Sequence, residues 1–438
     1  MNRSILKIAI PAIIANIAEP LLGLLDVGIA GHLGSEAMIG AIAVGAMMFN
    51  LVYWNFGFLR MGTSGMVAQA YGRNDVEDQA LLLRQSTALS LIIGLLIVAL
   101  QVPLRELVLW IIGPSQQVYD LAVRYFNIVV WGAPAVFITM ALKGFFLGMQ
   151  DAKSPMILSI GVNVLNIVFS LIAVLALNIG FVGIAVGTLA AQLVGVVAAV
   201  IMVAKKHGNL LKLIRLKQFF SLANSRRFFN TNVFIFLRST ALMAVMLAFI
   251  AIGARMGDMT LAVNSLMMQL FTLYSHFLDG FAFAGEALVG KYYGKGDSLT
   301  MRLCVNRLLL WAISIAGAFT LIYILFPESI FSLLTTDSGV VTSATTYQWW
   351  CAVIPLAAMA AFVYDGVYIG LTHTRVMFVT VLIATTLFFV LNAILPASLG
   401  NHRLWIAFIS FLIARGLGLL LHYRLRLLPA SAVIREVD

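Results

Sequence analysis

Apolar runs of about 20 residues, long enough to cross a bilayer as helices, recur along this chain. Twelve can be drawn in its 438 residues, at 6–30, 37–70, 80–102, 117–147, 154–177, 181–204, 229–254, 260–290, 302–326, 341–370, 375–398 and 403–423. Runs such as 37–70 exceed the minimum and are expected to tilt or protrude. The first run follows Arg3 and Lys7, as a signal peptide would. It continues past Pro20 to Gly34 with no clear small-residue cleavage site, so it reads as a retained span.

The polar connections set an orientation. With the N-terminus placed in the cytoplasm, 20 of the 28 Lys and Arg residues fall on the cytoplasmic side, 4 on the outer side and 4 inside spans. That bias follows the positive-inside rule. An even number of spans returns the C-terminus to the cytoplasm. The longest interruption, Lys205 to Asn230, is basic and partly amphipathic and is expected to lie along the inner membrane surface.

That interruption lies near mid-chain, and the two sides of it repeat. "QAYGRND" at Gln69–Asp75 matches "KYYGKGD" at Lys291–Asp297, an offset of 222. "GFFLG" at Gly144–Gly148 matches "GVYIG" at Gly366–Gly370, and Ile184-Ala185 matches Ile406-Ala407, both again 222 apart. Two halves of six spans share one membrane orientation, as in parallel-repeat transporters. The expected domains are 1–215, the first half with the start of the linker, and 216–438, the rest of the linker with the second half.

Composition agrees with a lipid environment. The chain is 62% hydrophobic and 11% charged, with a mean hydropathy of +1.00, where soluble domains carry about 25% charged residues. The net charge of +10 is explained by the cytoplasmic loops, and no basic stretch interleaved with aromatics suggests nucleic acid. Cys304 and Cys351 offer neither a disulfide framework nor metal-ligand spacing.

Ionisable residues inside spans are costly and mark functional candidates, with charged pairing as the structural alternative. They are Glu19, Asp26, Arg60, Lys143, Arg238, Asp279, Glu286, Asp365 and Arg415. On the first helix Asn16, Glu19, Gly23 and Asp26 fall within about 80° of one another. Pro20 removes the backbone bond to the Asn16 carbonyl, a candidate hinge beside these acids. A buried carboxyl holds its proton more tightly, so Asp26, and Glu19 with it, can act as a protonation switch. The alternative is a permanent ion pair, with Lys143 as a candidate partner.

On the fifth span Ser159, Asn163, Asn166 and Ser170 lie within about 60°. With Thr188 and Gln192 on the sixth span they suggest a wet cavity wall, against the alternative of polar groups joining helices. In the second half Thr272, Ser275, Asp279 and Glu286 share a face of the eighth span, and Arg238 is a natural partner for one of these acids. Asp365 stands where the repeat has Lys143, and Asp26 plus 222 is Ala248, so the first-helix acid is not duplicated. Tyr53, Met140 and Tyr274 are candidate pocket residues or packing, and His276 a hydrogen-bonded helix residue or a relay.

The segments "LLGLLDVGIAGHLG", "FLRMGTSGMVAQAYG", "GFFLGMQDAKSP", "NVLNIVFS", "FLDGFAFAGEALVGKYYG" and "YDGVYIGLTHTR" together resemble the multidrug and toxic compound extrusion (MATE) transporters, in their DinF branch. The resemblance runs through nearly the whole chain. It implies a V-shaped pair of six-helix bundles that exports mostly cationic, amphipathic compounds in exchange for protons or sodium. The family's cation-coupling aspartate falls on Asp26, and its fifth-helix polar motif on Asn163 and Asn166. Many relatives carry an aspartate where this chain has Ser170, and Glu19 is a candidate substitute. The seventh-helix acid of the sodium-coupled branch has no counterpart between Arg238 and Ala248, which favours protons.

The expectation is an all-α integral membrane protein of 12 transmembrane helices in two parallel six-helix repeats. Its expected activity is cation-coupled antiport by alternating access, not an enzymatic reaction. Asp26 and Glu19 would couple the cation, with Pro20 as hinge. Lys143, Asn163, Asn166, Ser170, Thr188 and Gln192 would line the cavity. Arg238, Asp279, Glu286 and Asp365 would form a second-lobe polar network. No cofactor or metal is expected beyond the coupling ion. The expected partners are small amphipathic organic substrates and membrane lipid, with no nucleic acid. The protein is expected to be a monomer in a prokaryotic inner membrane. A lipid-linked precursor flippase, a membrane-embedded enzyme and a passive channel are the rival readings.

Overall fold

The computed structural model describes residues 1–31, 36–213 and 226–427, with side chains described for all of these but 19–31 and 36. The described residues form helices and no strands. In the first half these are α1 (Asn2–Gly31), α2 (Glu36–Trp54), α3 (Phe58–Gly72), α4 (Val76–Ala99), α5 (Gln101–Ile112), α6 (Gln116–Val129), α7 (Ala133–Gly148), α8 (Lys153–Leu171) and α9 (Phe181–Leu213). In the second they are α10 (Arg226–Arg255), α11 (Asp258–Gly294), α12 (Ser298–Leu325), α13 (Pro327–Leu334), α14 (Ser338–Thr346), α15 (Gln348–Leu371), α16 (Thr374–Ile394) and α17 (Asn401–His422).

Among the described residues ten helical segments are long and apolar enough to cross a membrane. Helix α1, 30 residues long, and helix α11, 37 residues long with Asp279 and Glu286 within it, bring the set to twelve. Their outer faces are apolar. Leu95 and Leu96 on α4, Val200 and Ile201 on α9, and Leu382 and Ile383 on α16 are all exposed, the inverse of a soluble surface.

Two long spans are broken. A 3₁₀ turn at Asn55–Gly57 separates α2 from α3, and another at Val130–Gly132 separates α6 from α7. The second break precedes Pro134, in the first turn of α7, where a missing N–H costs no helical bond. The equivalent of the first break does not occur in α11, which is continuous. Helices α5 and α13 are short and were not among the expected spans, and the short α14 takes up the start of the expected span 341–370, whose crossing helix α15 begins only at Gln348.

The 222-residue repeat is visible in local geometry. Asp75 caps α4, its Oδ1 accepting from the Asp78 N–H at 2.9 Å, and Asp297 caps α12 by accepting from the Thr300 N–H at 3.0 Å. Each such cap stabilises its helix by about 1 kcal/mol. Gly144 lets α7 meet the backbone of α3 at the Arg60 carbonyl, and Gly366 lets α15 meet α11 at the Ala282 carbonyl, again 222 residues on. One turn further a β-carbon on Gly148 would lie 2.8 Å from the Ser64 carbonyl oxygen, and one on Gly370 2.9 Å from that of Glu286. The same close helix pairing is therefore built twice.

By contacts the chain forms two compact units, Ile14–Phe229 and Met1–Ile13 with Asn230–Asp438. The sequence division at 215 placed residues 1–13 with the first half. They pack with the second instead, where α11 at Gly280 backs onto the Ala9 carbonyl and the Ile13 side chain.

Candidate functional site

Glu19, Pro20 and Asp26 all fall on α1, which runs as a helix through Pro20 to Gly31. Their side chains lie outside the described residues.

In the unit Ile14–Phe229, α8 and α9 bring the fifth- and sixth-span polar residues together. Asn166 Oδ1 accepts from Ser170 Oγ at 3.2 Å and from Thr188 Oγ1 at 3.1 Å. Both hydroxyls also lie near the Ile184 carbonyl, at 3.4 and 2.9 Å. Ser170 is fully buried, with the Gly187 backbone pressed against it, so it occupies the helix contact and not an open wall. Its partner Asn166, with Asn163, Thr188, Gln192 and Lys143, is half-buried. Gln192 Oε1 is buried against Gly132 and has no hydrogen-bond partner among the described residues. Tyr53 packs its ring on Phe49 and Phe137, both with centroids about 5 Å away, which is packing.

At one end of this unit Asp151 ties two helices. Its Oδ1 accepts from the Lys153 and Ser154 N–H groups, and its Oδ2 from Ser154 Oγ at 2.6 Å and Lys206 Nζ at 2.7 Å. Burial alone would raise its pKa. The Lys206 ammonium and Ser154 outweigh that and hold the carboxyl below its ordinary value.

The other unit holds a buried charge cluster. Asp365 Oδ2, on α15, accepts from Arg238 on α10 and from Arg415 on α17, and all three residues are 5% exposed. The guanidinium of Arg415 also lies over the Phe362 ring, 5.6 Å from its centroid. Asp279 acts electrostatically on Arg238 from α11. Charges cut off from water need such partners, because desolvation costs several kcal/mol per ion. The structure thus joins Arg238 to Asp365 and adds Arg415, which the sequence marked as an in-span charge without assigning it to the network. Glu286 is buried seven residues beyond Asp279 on α11. Thr272 is exposed and Ser275, on the same wheel face, is half-buried, and both bond to their own helix. Tyr274 is buried and donates to the Pro355 carbonyl at 2.8 Å, so it too is packing.

Among the described residues no three His, Cys, Asp or Glu side chains converge as metal ligands. Cys304 and Cys351 are free and buried. What the first unit presents instead is a set of half-buried amide, hydroxyl and amine side chains.

The MatE family model matches residues 11–172 and 235–394, one segment in each half. The chain is 35% identical to the DNA damage-inducible protein F of Escherichia coli (strain K12), covering 95% of this chain and 91% of that protein. It is 24% identical to the probable multidrug resistance protein NorM of Photorhabdus laumondii, over 86% of this chain and 83% of that one. Its fold is shared with a crystal structure of a MATE protein in the bent conformation, at a TM-score of 0.83 and 19% identity, covering 100% of this chain and 96% of that one. A MOP superfamily transporter from Pyrococcus furiosus matches at a TM-score of 0.82 and 19% identity, over 98% and 96% of the two chains. With twelve spans in two repeated halves and a family model matching both of them, the chain belongs to the MatE family, the MATE multidrug efflux transporters.

Proposed function

We propose that this transporter exchanges protons for amphipathic, mostly cationic organic compounds by alternating access. The observation that carries the reading is α1, a helix of this family's first span with Glu19 and Asp26 inside it and Pro20 between them. Asp365, one of three in-span acids of the second half with Asp279 and Glu286, is engaged by two arginines, which supports choosing the acids of α1 over Asp365 as the coupling site. In this reading Asp26, with Glu19, takes up a proton from outside. Neutralising the acid lets α1 bend at Pro20, and the substrate leaves outward.

Proton and substrate must favour different states or compete for the same acid, since a ligand shifts an equilibrium only by its differential affinity. The half-buried Asn163, Asn166, Thr188, Gln192 and Lys143 line the route. The Lys and Arg bias supports cytoplasmic termini in a prokaryotic inner membrane. The protein acts as a monomer.

The test is an imposed pH gradient across proteoliposomes, with a fluorescent organic cation and no sodium. Gradient-driven movement of the cation supports proton coupling. Movement that begins only when sodium is added assigns the coupling ion to sodium instead.

A further inference from the structure

The 222-residue register compares the two halves position by position. Their inner ends, which the Lys and Arg bias places toward the cytoplasm, differ in charge. In the first half Asp75 caps α4, Glu77 and Asp78 lie in its first turn, and Asp151 ties the start of α8 to Lys206 on α9. Asp75 has an acidic counterpart, Asp297, and that residue caps α12. Glu77, Asp78 and Asp151 are replaced by Leu299, Thr300 and His373. Cations change in the opposite sense. Val200, Met202 and Ala204 of α9 become His422, Arg424 and Arg426, and Ala80 of α4 becomes Arg302 on α12.

The fold gathers these positions. A π-helical turn, Tyr423–Leu427, ends α17. The Tyr423 ring stands 5.6 Å from that of Tyr364 on α15, and Tyr364 stands 6.4 Å from Tyr368. The Tyr368 hydroxyl donates to the Leu419 carbonyl at 3.0 Å and lies 2.7 Å from His422 Nδ1. His422 acts electrostatically on His373, Arg426 on His422, Arg424 on Tyr364 and Arg302 on Tyr423. Tyr423 is 3% exposed, and its hydroxyl has no hydrogen-bond partner among the described residues. Arg424 and Arg426 are exposed, and no carboxylate of the described residues pairs with either.

Apolar side chains flank the cations. Leu425, between Arg424 and Arg426, is 69% exposed, and Leu299, Leu303 and Leu421 are exposed as well. Free phosphate would gain nothing from such a rim. A phospholipid does, because its headgroup phosphate meets the guanidiniums while its acyl chains cover the leucines. We infer that the inner end of the second half binds an anionic phospholipid of the inner leaflet, its headgroup phosphate held by Arg424 and Arg426 beside His422. The phosphate gives the second half the negative charge that Asp151 gives the first. The site belongs to the second half alone and is independent of the ion that drives transport.

Two measurements on the full chain test this. In detergent, phosphatidylglycerol is titrated onto the protein and bound lipid is counted by native mass spectrometry, with the thermal transition followed in parallel. Phosphatidylglycerol is expected to bind and to raise the transition, and phosphatidylcholine and inorganic phosphate are expected to do neither. R424Q/R426Q is expected to weaken phosphatidylglycerol binding about 30-fold, the combined effect of two basic residues at an anionic lipid surface. K205Q/K212Q, which removes two exposed cations from the inner end of the first half, is expected to bind as wild type does. Unchanged binding by R424Q/R426Q, equal weakening in both variants, or equal binding of phosphatidylcholine overturns the site. An equal response to inorganic phosphate assigns the site to free phosphate and overturns the lipid. In membranes, wild type is labelled with a phosphatidylglycerol that carries a photoreactive headgroup. Label is expected within 299–303 or 421–427, and label confined to other segments overturns the inference whether or not the arginine variants fold.

Discussion

Arg238 of α10 and Asp365 of α15 form a buried ion pair, and the equivalent positions in the first half, Asn16 and Lys143, carry no acid. The second half thus holds its charges against one another, with Arg415 as a further cation on the same oxygen. Its helices α10, α15 and α17 are fastened by this cluster. The first half keeps its in-span acids, Glu19 and Asp26, on α1.

Removing Asp365 leaves two guanidiniums in a site cut off from water. D365A is expected to destabilise the protein by about 3–5 kcal/mol, read as loss of monodisperse protein on heating in detergent. Adding R238Q to D365A should recover part of the loss. A double variant less stable than the single one by the full cost of each would show that the two residues do not act as a pair.

Gly144 and Gly366 make the two equivalent helix contacts, so G144A and G366A should be similarly harmful. Each is expected to cost about 1–3 kcal/mol through overpacking against a backbone carbonyl. Gly317 has open space at its β-carbon position, and G317A should fold as wild type does. Comparing the three thermal transitions checks this.

Asp151 has a lowered pKa because of Lys206 and Ser154, despite its burial. Its contribution to stability is therefore full above the ordinary carboxylate value of 3.8 and is lost as pH falls through the lower folded value. D151N should be less stable than wild type at neutral pH, and the gap should close in strong acid. Thermal transitions of both proteins across that range provide the check. A gap that persisted unchanged would place the effect in packing and not in charge.

Ser170 is buried between α8 and α9, against Gly187. S170D should therefore fail to create a second coupling acid. It is expected to cost about 3 kcal/mol or more, the range of an unpaired buried charge. S170A should cost about 1 kcal/mol for its hydrogen bonds. Denaturation of the two variants separates these outcomes. An S170D protein as stable as wild type would mean that the position opens onto a cavity.

Much of the fold was legible in the sequence because membrane spans announce themselves by length and hydropathy, and because one offset of 222 aligned separate motifs. The breaks at Asn55–Gly57 and Val130–Gly132 were not legible, since apolarity continues through both. Helices α5 and α13 were too short to register as spans, and α14 was merged with α15 because apolarity runs through both. The site was legible as a set of polar residues but not as a set of contacts. A helical wheel placed Ser170 on the face of Asn166 without revealing that Gly187 covers it. Arg415 stood out as an in-span charge, yet nothing in one dimension told that α17 brings it to the same oxygen as Arg238.

The central claim is that an acid on α1 couples the transporter to protons. It is tested most directly by wild type and D26N side by side in proteoliposomes under an imposed pH gradient, without sodium. The account predicts gradient-driven movement of a fluorescent organic cation by the wild type and none by a D26N protein that folds normally. Equal transport by both would contradict it.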